Sequence, residues 1–167
     1  MKVYEKSFDA NEWYVIISLV ALVLLIWITP KIFSFLEGTA HFLFGIAIGM
    51  FYDHTISVKP WDFYDVNDNS SYQFIDFISY VMYGPYSYFF IYTYEKLKIK
   101  GLYHIVFITF WSSFSLMMEW IAVKIGLFHF DKGFKMYWSY PIYFSAQALQ
   151  IIFYKVVKSK LKKQLKD

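Results

Sequence analysis

Cysteine and arginine are both missing from the 167 residues. Without cysteine there is no disulfide, no thiol nucleophile and no thiolate ligand for a metal or cluster. Without arginine every basic side chain is a lysine, so no planar guanidinium can clamp a phosphate or carboxylate bidentately. Charge of either sign is scarce as well: charged residues make up 17% of the chain, against 58% hydrophobic and 25% aromatic. Such a chain falls outside both the disordered class and ordinary soluble domains. No nucleophile motif, phosphate-binding glycine loop or paired-carboxylate signature occurs, so the sequence specifies no catalysis and leaves open whether the chain is an enzyme.

What is present is a series of apolar stretches of membrane-spanning length, with the charges gathered between them. One soluble core of this size cannot shelter five such stretches, whereas lipid can. The expected architecture is all-α: a compact polytopic transmembrane helical bundle with about five spans, over 13–28, 32–52, 72–94, 102–123 and 136–157, in one integral membrane domain. Thr29-Pro30-Lys31 closes the first helix, because proline cannot continue the hydrogen-bond ladder. The first stretch is expected to stay on as an uncleaved helix, since Glu5, Asp9 and Glu12 precede it and no small-residue cleavage pattern follows. Gly45-x-x-x-Gly49 gives helix two a smooth patch for close helix contact. Gly84-Pro85 is expected to bend or divide helix three. The only long polar connection, Asp53 to Ser71, carries four aspartates beside Trp61, Phe63 and Tyr64, and is expected to lie at headgroup depth.

Six lysines crowd into residues 155–167, and this basic tail reads as a topology signal or an anionic-lipid contact. Placing the C terminus inside puts ten lysines on the inner side (31, 96, 98, 100 and the tail) and six outside (2, 6, 59, 124, 132 and 135). The bias predicts N terminus outside and C terminus cytoplasmic, although the lysines between helices four and five pull the other way. A nucleic-acid partner needs more positive surface than this tail offers.

The residues that hydrocarbon ordinarily excludes are the site candidates. Glu37 and His41 stand four apart on helix two and share a face, and His104 opens helix four from the same inner side, so the three could meet in the inner half. A metal there is conceivable, but E-x-x-x-H lacks the specificity of established zinc motifs, and neither a metal nor a cofactor is assigned. Nearer the outer side lie Asp76, Asp53, Lys124 and Glu119, the last roughly 25 Å along its helix at about 1.5 Å per residue. Glu119 is expected to point into the bundle and to hydrogen-bond helix three or five, because its neighbours Met117, Met118, Trp120 and Ile121 surround it with apolar bulk.

The run Glu119-Trp120 followed by Gly126, Phe128 and Phe130, and then by Trp138-Ser139 at the start of the last helix, resembles a family of small uncharacterised multi-helix membrane proteins of Bacillus- and Clostridium-type bacteria. The likeness covers about residues 74–157. It implies a bacterial cell membrane and a compact helical fold, gives weight to Glu119, Trp120, Gly126, Trp138 and Ser139 as a structural or ligand-facing unit, and carries no activity with it.

Three functional classes follow. The first is a non-enzymatic membrane protein that binds a protein partner, lipid or small apolar ligand. The second is an oligomeric proton-coupled or small-solute transporter, suggested by acids and histidine at depth. The third is a membrane enzyme using Glu119 as acid or base on a lipid-like substrate, with His41 or His104 assisting. Membrane lipids, a protein partner and further copies of the chain are the expected partners.

Overall fold

The computed structural model describes Tyr4, residues 8–68 and residues 72–164, the last three by backbone alone. Lys2, Lys6 and Lys166 of the lysine pattern lie outside the described residues. Five long helices follow in order: α1 (Ala10–Ile28), α2 (Phe35–Ile56), α3 (Phe74–Lys96), α4 (Tyr103–Lys124) and α5 (Ser139–Gln164). Two three-residue strands, β1 (Tyr64–Val66) and β2 (Phe128–Phe130), lie in the connections before α3 and after α4.

Capping chemistry sets where the first three helices begin. Asp9 Oδ1 accepts from the Asn11 amide while Glu12 reaches back to the Asp9 amide. Ser34 and Glu37 form the same reciprocal box at the head of α2, and Asp76 accepts from the Gln73 amide at the head of α3. Each box satisfies amides that the first turn leaves without partners. The start of α2 therefore falls at Phe35, three residues later than the sequence pattern suggested, and Glu37 belongs to its first turn.

Helix α3 is the hub, packing against α1, α2 and α5. It is one continuous helix with Pro85 inside it, so of the bend or division expected at Gly84-Pro85 the division does not occur. The Phe42 ring occupies the space a side chain at Gly84 would need, with a Cβ there 2.5 Å from Phe42 Cε1. Pro85 is itself fully buried, and this packing keeps the segment in register despite the missing amide. The α2–α3 approach is closest at Gly45, where a Cβ would stand 2.4 Å from the Tyr83 carbonyl oxygen.

Strands β1 and β2 pair antiparallel, Tyr64 opposite Phe130 and Val66 opposite Phe128. The long acidic connection is thus folded onto the α4–α5 connection. The N-terminal segment joins them: the Tyr4 amide donates to the Asp68 carbonyl at 2.8 Å, and its ring stacks on His129 with centroids 3.8 Å apart. One end of the bundle carries this cap, and the other carries the short connections around Pro30 and Gly101.

By length and composition, α1, α2 and α4 are long and apolar enough to cross a membrane. The protein is therefore a compact bundle of five helices with three candidate spans. Helix α3 falls short because its buried face holds Ser79, Tyr80, Ser87, Tyr88 and Tyr94, and α5 because its last turns are rich in lysine. The outer faces of the bundle are apolar where a soluble protein is polar: Trp27 is 80% exposed, Phe35 91% and Phe110 66%.

Candidate functional site

Helix α4 turns Glu119 inward through the same face as Ser112, Ser115 and Ala122, all of them buried. Glu119 is 5% exposed. Its Oε1 accepts the Ser139 hydroxyl at 2.6 Å, so the first residue of α5 holds the carboxyl across the α4–α5 connection. Oε2 is buried and has no well-aligned hydrogen-bond partner among the described residues, while the Tyr143 hydroxyl lies close enough to the carboxyl to act as a donor to it. A buried carboxyl oxygen in this state costs free energy, about 1–3 kcal/mol or more when charged, until a donor reaches it.

Glu119 lines a cavity of about 210 Å³ into which all five helices and both connections contribute residues. The walls are mostly aromatic and aliphatic, with Tyr14 and Leu22 from α1, Tyr83 and Phe90 from α3 and Ile142 and Tyr143 from α5 among them. Gly45 and Gly49 of α2 also line the cavity, with Tyr83 and Ser87 of α3 pressed against them. Two carboxylic acids line it, Glu119 and Asp53, and no lysine or histidine does. Asp53 is buried near the end of α2 and accepts the Tyr64 hydroxyl, a bond that ties β1 to the bundle. Burial and then the neighbouring Asp53 carboxylate push the Tyr64 phenol well above its ordinary 10.0.

Neutral polar groups, Ser115, Gln147, Gln150 and Ser87, continue the lining toward the opposite end. Ser112 donates to Gln147 Oε1 at 2.9 Å, and Gln147 Nε2 donates to Ser115 at 3.1 Å. One turn on, Gln150 donates to the Ser87 carbonyl at 2.7 Å, and the Ser87 hydroxyl donates to the His41 carbonyl at 2.6 Å. Gln147 and Gln150 were not among the residues singled out from the sequence. The signal was there as a Gln-x-x-Gln pair three apart on one face of an otherwise apolar helix, but a neutral amide is less conspicuous than a charge.

The inner trio does not assemble. Glu37 is engaged in capping its own helix. His41 is 1% exposed among the rings of Phe33, Phe153 and Tyr154, with Nδ1 unpartnered. His104 is held separately: Nδ1 lies 2.6 Å from the Gly101 carbonyl, which can only accept, so Nε2 accepts from Tyr94 at 2.8 Å. Among the described residues no group of three His, Asp or Glu side chains is placed to hold a metal ion.

Four of the outer candidates lie outside the cavity lining. Trp120 follows Glu119 directly, about 100° around the helix, and is half exposed on the outer face, with the Lys124 ammonium 5.9 Å from its ring. Lys124 thus covers an aromatic ring, and among the described residues it forms no ion pair with a carboxylate. Trp138 is partly exposed in the cap, edge-on to Phe134 and Phe63. Asp76 is buried but belongs to the cap's own network, accepting from Asn67 Nδ2 at 2.5 Å. Of the outer candidates, the cavity thus brings together Glu119, Ser139 and Asp53. No family model, curated protein or solved structure matches the chain.

Proposed function

We propose that this is a five-span integral membrane protein of the bacterial cell membrane that binds a small, largely apolar ligand in the cavity at the centre of its bundle. The observation that carries the reading is the buried Glu119, whose Oε2 has no well-aligned donor, in the lining of about 210 Å³ of mostly apolar space. An engineered cavity of about 150 Å³ lined by aliphatic and aromatic side chains holds benzene, so this one has room for a ligand somewhat larger. Lipid accounts for the exposed apolar belt on the bundle's flanks, and the N terminus outside with the lysine tail in the cytoplasm follows the lysine bias. Membership of the small bacterial membrane-protein family that the Glu119-Trp120 and Trp138-Ser139 pattern resembles belongs to the same proposal.

The test is thermal unfolding of the purified protein in neutral-lipid nanodiscs against a panel of small aromatic and aliphatic compounds. A ligand at one hundred times its Kd stabilises by about 2.7 kcal/mol, and Ala146→Phe, which places a ring in the cavity, removes that gain. A panel that stabilises nothing, or gains that survive the filled cavity, would refute the reading.

A second reading has one specific observation in its favour. The Ser115–Gln147 and Gln150–Ser87 contacts continue the polar line from Glu119 toward His41 within a single chain, which suits proton passage. Proton flux into liposomes above protein-free controls, abolished by Glu119→Gln, supports it; flux equal to the controls excludes it.

A further inference from the structure

Resting on the cavity reading, we propose that the ligand is a small lipophilic amine, an aromatic or aliphatic body with one ammonium group, whose charge is taken by Glu119. Three independent features point to this class. The first is the geometry of the carboxyl of Glu119, a cavity-lining residue: Ser139 satisfies Oε1 at 2.6 Å, while Oε2 is buried without a well-aligned donor, the Tyr143 hydroxyl standing beside the carboxyl. A ligand N–H⁺ supplies both an aligned donor and the countercharge, a combination that an alcohol or amide offers only in part.

The second is the sign of everything around it. Asp53 is the other ionisable carboxyl of the lining, and among the described residues no lysine or histidine lines the space, His54 lying near Asp53 outside it. A carboxylate or phosphate ligand would meet two like charges without one compensating lysine.

The third is the wall material. Tyr14, Tyr83, Tyr86, Phe90 and Tyr143 present rings to the cavity, and an aromatic face attracts an ammonium group as well as covering an apolar body. The volume sets the size at a benzene ring with a short aminoalkyl arm.

The experiment uses three probes of one shape: phenethylamine, 2-phenylethanol and phenylacetate. Each is titrated calorimetrically into the full-length protein in phosphatidylcholine nanodiscs, with empty nanodiscs as the blank. The amine is expected to bind at least about tenfold tighter than the alcohol, about 1.4 kcal/mol, and phenylacetate not at all. Glu119→Gln keeps an oxygen for Ser139, so it is expected to leave alcohol binding in place while erasing the preference for the amine. Asp53→Asn is expected to reduce that preference by a smaller factor. Equal binding of amine and alcohol, or a preference unchanged in Glu119→Gln, overturns the amine assignment while the cavity reading stands. Failure of all three probes overturns both. Size-exclusion profile and far-ultraviolet dichroism of Glu119→Gln establish that the variant compared is folded.

Discussion

The Ser139 hydroxyl donates to Oε1 of Glu119 at 2.6 Å and so joins the first residue of α5 to the last turns of α4. Two substitutions separate the hydrogen bond from the charge. Glu119→Gln retains an acceptor for Ser139 and is expected to unfold within about 1 kcal/mol of the parent. Glu119→Leu leaves a buried hydroxyl without an acceptor, with an expected loss of about 1–3 kcal/mol. Near-ultraviolet dichroism during thermal unfolding in detergent distinguishes them, and equal stability of the two variants would show that the bond fastens nothing.

Gly45 and Gly49 differ in what an added methyl meets. At Gly45 the obstacle is backbone, the Tyr83 carbonyl oxygen at 2.4 Å, whereas at Gly49 it is the Tyr83 ring at 2.5 Å. A ring can swing aside and a backbone in a helix cannot. Gly45→Ala is therefore expected to cost more than Gly49→Ala, with overpacking of about 1–3 kcal/mol at the former. The reverse order in unfolding midpoints would contradict the close α2–α3 approach.

Alkaline pH should loosen the cap. The folded-state pKa of Tyr64 is raised by burial and by Asp53, while an unfolded tyrosine titrates near 10. The folded chain then holds a proton that the unfolded chain releases, so the stabilisation is complete below about pH 10 and declines as pH rises above it. Tyr64→Phe is expected to flatten this alkaline decline, measured as the difference in unfolding midpoint between pH 8 and pH 11. An identical decline in the variant would place its origin elsewhere.

Orientation can be read cleanly because the chain has no cysteine of its own. Asp65→Cys is expected to react with a membrane-impermeant maleimide in intact cells, and Ser159→Cys only after permeabilisation. The opposite pattern would invert the bundle.

Sequence reasoning reached what depends on local chemistry. A lone acid in the apolar run Met117 to Ile121 has to face inward or find a partner, and Glu119 is buried against Ser139. Proline after Thr29 ends α1, as its geometry requires. What depends on distant packing was harder to read. Pro85 looked like a break, but the Phe42 ring against Gly84 holds that part of α3 together. The β1–β2 ladder was invisible because three-residue strands set in aromatic, acidic connections carry no period of their own. Glu37 and His41 were grouped by their shared face and His104 was added by depth, and depth does not say which way its helix is turned. Gln147 and Gln150 escaped notice because an amide costs less to bury than a charge and so stands out less in an apolar run.

Occupancy of the central cavity is measured most directly by photolabelling. A small diazirine-bearing aromatic amine, irradiated with the protein in nanodiscs and mapped by peptide mass spectrometry, should mark Tyr83, Met118 and Tyr143 saturably. An excess of phenethylamine should protect all three together, and Ala146→Phe should lose the labelling. Labels spread over Trp27, Phe35 and Phe110 in proportion to their exposure, with neither competition nor sensitivity to Ala146→Phe, would contradict a ligand site inside the bundle.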